Sequence, residues 1–123
     1  MTGYYDLFVA PVPEGKVEAF RKQTEAFAQV LKQNGARTFV EVEADDAKPG
    51  RVTSFPQSVK LGPGEKVFVG IVGFDDRKHR DEVMAKAMQD KRLADSMSDG
   101  EAAADGGRMF FGGFKVFLDA ARF

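Results

Sequence analysis

Apolar residues recur along this chain in two alternating periods. "YYDLFVAPV" (4–12) reads as a strand closed by Pro11 and Pro13. Over 14–33 the spacing lengthens: Val17, Phe20, Thr24, Phe27 and Leu31 fall three or four apart, one stripe of an amphipathic helix. Asn34-Gly35 supplies a left-handed stop. "ARTFVEVEA" (36–44) alternates and "EKVFVGIVGF" (65–74) is rich in β-branched residues, which predicts two more strands. Asp75-Asp76 offers an N-cap to a helix over about 77–91, with Val83, Met84, Ala87 and Met88 inward. The acidic, small-residue stretch "DSMSDGEAAADGG" reads as a loop. "GRMFFGGFKVFLDA" (107–120) reads as a fourth strand, where Gly112-Gly113 permits a bulge or a close approach.

The order β-α-β-β-α-β predicts an α+β, ferredoxin-like domain, with both helices on one face of a four-stranded antiparallel sheet. Sorting the strands by their period of two separates the faces. One set, including Leu7, Val9, Val40, Val42, Ile71, Phe110 and Phe114, is almost purely apolar and is assigned to the helix-covered side. The other mixes aromatic residues (Tyr4, Phe8, Phe39, Phe68, Phe111) with Asp6, Glu41, Glu43 and Lys115, and is assigned to the open side. So large an apolar patch exceeds the few hundred Å² that a monomer tolerates. Two such sheets packed face to face in a symmetric homodimer would cover it.

Composition narrows the possibilities. A chain of 123 residues fits a single domain over 1–123 that buries roughly two thirds of its unfolded surface. Net charge is −1 with both signs interspersed, so no basic patch points to a nucleic acid. The absence of cysteine excludes disulfides, thiolate metal sites and cysteine nucleophiles. The N-terminal stretch lacks a basic segment followed by an apolar core, and no apolar run approaches the length that spans a bilayer. A cytoplasmic protein without membrane partner is the expectation. Neither G-x-G-x-x-G nor G-x-x-x-x-G-K-[ST] occurs, and a single histidine, His79, builds no multi-histidine metal site. No cofactor or metal is called for, and a haem held by His79 ranks well below a helix-start histidine.

The blocks "YYDLFVAPVP", "KPGRVTSFPQSV", "HRDEVMAKAMQDKRL" and "DGGRMFFGGF" resemble, in order and spacing, those of the YbaA-like bacterial proteins, a family of unknown function. The terminal D-G-x-R-M-x-x-G-G-F block is the most specific. The resemblance implies a dimeric α/β barrel and implies no activity. Lys115 stands where the family more often has an acidic residue, and His79 where it does not require histidine.

Candidate chemistry centres on Asp6, a mid-strand carboxyl that is costly to bury unless paired or protonated. It reads either as a general base or ligand anchor, or as a satisfied polar group bonded to Lys115. With it, Phe8, Phe68, Phe111, Gly113 and Lys115 would line a pocket, Gly113 leaving a gap opposite Asp6. The long connector 45–64 brings Ser54, Phe55 and Gln57 as a lid, or alternatively docks through Val52, Phe55 and Val59. Arg108 would clamp a carboxylate in bidentate fashion or pair with Asp105. Glu41 and Glu43 are expected at a solvated edge. Two functions stay open: binding of a small apolar or aromatic molecule around Asp6, with or without catalysis, and a non-catalytic dimerisation module.

Overall fold

A computed structural model describes residues 2–98 and 103–120. β1 (Tyr4–Pro13) leads through a short 3-10 turn into α1 (Val17–Gln33), and β2 (Thr38–Glu43) follows. Gly35, at φ 108°, ends α1 as expected, and Ala36 N donates back to Leu31 O at 3.0 Å. The connector 45–64 contains one helical turn, α2 (Phe55–Ser58), before β3 (Glu65–Phe74), α3 (Arg77–Met88), α4 (Lys91–Ser98) and β4 (Phe110–Lys115). The sheet order is β2-β3-β1-β4 and every pairing is antiparallel, the ferredoxin-like arrangement.

Four expectations about the elements change. The helix predicted over about 77–91 breaks at Gln89-Asp90, because Asp90 accepts from Arg92 N (2.9 Å) and starts α4. The expected loop from Asp95 is therefore helical as far as Ser98. The fourth strand is shorter than 107–120, since Asp105 to Arg108 form a turn in which Met109 N donates to Asp105 O at 3.0 Å. Gly112-Gly113 forms no bulge: Leu7 and Asp6 face Gly112 and Gly113 in unbroken register.

The faces are the reverse of those expected. The mixed aromatic set lies beneath the helices. Tyr4, Val72 and Phe74 are buried with Val30 and Leu31 of α1 and Val83 and Ala87 of α3. Phe8 meets Phe27 edge-on at 6.1 Å, and Phe20 of α1 packs on Phe68 at 4.9 Å. Large rings fill the wide space between sheet and helix, where Cβ-branched side chains alone would leave voids. The purely apolar set faces away from the helices, with Val40 50% and Phe114 55% exposed. One end of that face is closed by the connector: Val59, 1% exposed, packs with Val9 and Val67.

Candidate functional site

Between the docked connector and β4, the helix-free face holds a groove of about 480 Å³. Leu7 and Val9 of β1 form its floor, Phe110, Gly112 and Phe114 one wall, and Ser54 and Phe55 the other. The second wall is held by its own hydrogen bonds. Ser54 Oγ accepts from Gln57 N (3.2 Å) and caps α2, while Gly50 N donates to Gln57 Oε1 (2.8 Å). Ser58 Oγ donates to Phe55 O at 2.7 Å. The outgoing chain is fixed by Arg108, which donates to Lys60 O (3.0 Å), to both Glu65 oxygens (2.8 and 2.7 Å) and to Asp105 (2.8 Å). Arg108 thus clamps a carboxylate and pairs with Asp105 at once, and the carboxylate is the protein's own. Glu65 is held down at about 2, first by the Arg108 hydrogen bond and then by Gly62 N.

Asp6 lies outside this groove. It is 2% exposed on the helix side, where Arg80 Nη1 donates to its Oδ1 at 2.6 Å. The guanidinium also sits over the Tyr4 ring, 5.0 Å from its centroid, and bonds Asp81 (2.8 Å). Burial raises the Asp6 pKa, and the neighbouring Arg80 charge and hydrogen bond oppose that rise without cancelling it. The partner of Asp6 is therefore Arg80 rather than Lys115. The gap expected at Gly113 is taken by the Tyr4 ring, which crosses the position a Cβ would occupy. Lys115 pairs across the sheet with Tyr4 and stays exposed. Phe8 stacks on Phe111 at 5.5 Å, and Phe68 is enclosed under α1.

Of the candidate residues, the structure brings Ser54 and Phe55 to the groove, which Phe111 also borders although its ring stacks on Phe8. Gln57 and Arg108 hold the connector, and Asp6, Phe8, Phe68 and Gly113 belong to the helix side. Arg80 was not identified from the sequence. Its signal was there: Arg80, Val83 and Ala87 share one stripe of α3, and a cation on an inward stripe requires an anion beneath it. His79 is also structural, because its Nδ1 accepts from Asp75 N (2.9 Å) and its ring meets Phe74 edge-on. Among the described residues no cluster of acidic or histidine side chains has metal-binding geometry, and no helix is long and apolar enough to cross a membrane.

Residues 3–104 match the model of a family described as a protein of unknown function, DUF1428. The uncharacterized protein YbaA of Escherichia coli K12 is 35% identical over 117 residues, 94% of this chain and 97% of that protein. YbaA of Shigella flexneri matches to the same extent. Among solved structures, a nipsnap family protein of unknown function from Agrobacterium tumefaciens superposes with a TM-score of 0.56 at 16% identity, covering 93% of this chain and 87% of that one. A dimeric ferredoxin-like protein from an uncultured marine organism gives a TM-score of 0.57 at 9% identity, covering 97% and 99%. At these identities the two structures speak for the fold alone.

Proposed function

The chain belongs to the DUF1428 family of YbaA-like proteins, and from that premise we propose that it works as a homodimer joined through its helix-free sheet face, with a small apolar or aromatic molecule held in the groove at the interface. The observation that carries this reading is the composition of the face. Val40, Val42, Phe110, Phe114 and Val116 are all more than a third exposed, and no charged residue interrupts them on that side of the strands. A surface of that kind is covered in solution. The protein of similar fold from the uncultured marine organism is itself described as dimeric.

The groove lining favours binding over acid–base chemistry. Its polar groups are the hydroxyls of Thr53, Ser54 and Ser58, and none of its described lining residues titrates near neutrality. That observation also supports a second reading, a dimerisation module without a ligand.

Light scattering should return about twice the 13.5 kDa chain mass for the wild type. Val40→Glu combined with Phe114→Glu should return the single-chain mass with an unchanged circular dichroism spectrum. A wild-type mass of one chain at micromolar concentration would end the reading. The ligand part is separable: indole should bind saturably and lose affinity in Phe55→Ala. A dimer that takes up no indole leaves the module reading standing alone.

A further inference from the structure

On the helix side, at the β2 edge, a second cleft of about 300 Å³ lies between α1 and the sheet. Its apolar wall is the Phe20–Phe68 pair. Glu41 stands in it rather than at the solvated rim the sequence suggested. Glu41 faces Gly70 across β3, and its Oε1 lies 2.8 Å from where a Cβ on residue 70 would be. A side chain at 70 would make the carboxyl shift from this position, so glycine leaves room for it there.

The charges around Glu41 are unequal. From α1, Arg21 is paired with Glu18 (3.6 Å) and Glu25 is without an ion pair among the described residues. On β2 itself, Glu43 is paired with Lys66 of β3 (3.3 Å). Across the sheet, Phe68 and Gly70 carry no charge. Glu41 makes no hydrogen bond or ion pair among the described residues, and burial alone pushes its pKa up to about 7. The cleft therefore combines an aromatic wall, a threonine hydroxyl (Thr24) and two carboxyls in excess of its available cations.

We propose that this cleft binds a small organic cation, an amine with an aromatic or aliphatic body, with Glu41 as its counter-ion and the Phe20–Phe68 pair against its body. A carboxylate partly shielded from water gains more from an incoming ammonium than an exposed one does, and the ring faces add cation–π attraction. Binding also expels the proton that Glu41 carries below neutrality. Affinity then scales with the ionised fraction of Glu41, so it rises with pH and levels off above the free-state pKa. The cleft opens away from the helix-free face, so the inference stands whether or not the dimer forms.

The probe is benzylamine, which stays cationic over the range used, with benzyl alcohol as its neutral counterpart. Calorimetric titration of the wild-type protein should show about a tenfold gain in affinity between about pH 6 and about pH 8, the ratio of ionised Glu41 at the two values. Benzyl alcohol should bind more weakly and without pH dependence. Glu41→Gln, close in shape to the protonated acid, should lose both the affinity and its pH dependence. The proposal is overturned by no benzylamine binding at millimolar concentration, by a flat pH profile, or by benzyl alcohol binding equally well. Undiminished binding to a folded Glu41→Gln would overturn it too. Should that variant not fold, the wild-type pH profile decides alone.

Discussion

Asp6 lies within β1, 2% exposed beneath α3. A carboxyl in the middle of a strand had to be paired or protonated, and that much followed from chemistry. Its partner did not, because Arg80 lies 74 positions away and only packing of α3 on the sheet brings the two to 2.6 Å. The face assignment failed for a related reason. The charges of the mixed set suggest a face turned away from the helices, whereas Asp6 forms a buried ion pair beneath one. The pairing predicts an asymmetry between variants. Arg80→Met strands a buried carboxylate and should cost about 3 kcal/mol in a denaturant melt, the lower end for breaking such a pair because Arg80 keeps some solvent contact. Adding Asp6→Asn should recover much of that loss. If the double variant is as unstable as the single, the stranded charge is not the cause.

At the scale of elements, the long periodic segments were legible and the short ones were not. β3 has the predicted limits, and α1 stops at the predicted glycine, because burial and backbone conformation both leave a pattern in the sequence. α2 and α4 are set instead by local caps from Ser54 and Asp90, a signal of one side chain each. The connector was recognised as unusual for its length, yet its anchorage depends on Arg108, far along the chain. That clamp titrates. Glu65 is held at about 2, below the ordinary carboxylate value of 4.5, so the folded state gains from its ionised form above that value. The gain disappears as pH falls from about 4.5 toward about 2. Glu65→Gln should lower stability near neutrality and flatten the acid limb of a stability-against-pH curve, with faster amide exchange over residues 59–65. An unchanged acid limb would mean that other carboxyls govern it.

For the whole molecule, the sequence suggests that one sheet face needs a cover, and it points to the face that the helices already occupy. The proposed interface moves accordingly to the helix-free face, where Val40, Val42, Phe110, Phe114 and Val116 are exposed. Gly113 and Gly112 differ accordingly. Within one chain Gly113 is required, because Tyr4 lies across it, whereas a Cβ at Gly112 would meet only the Phe114 ring at 3.6 Å, an ordinary contact. Nothing inside the monomer demands a missing side chain at 112. Two-fold symmetry would. A surface that pairs with its own rotated copy must carry both the projection and the recess that receives it, and Gly112 is a recess between the projecting rings of Phe110 and Phe114. Gly112→Leu should therefore leave the melting temperature of the isolated chain nearly unchanged while weakening self-association, measured as a concentration-dependent fall in scattering mass. An assembly indifferent to that leucine would place the recess outside the contact. The small residue that looked like an interruption of the strand becomes, in those terms, half of a lock whose key is carried by the same chain.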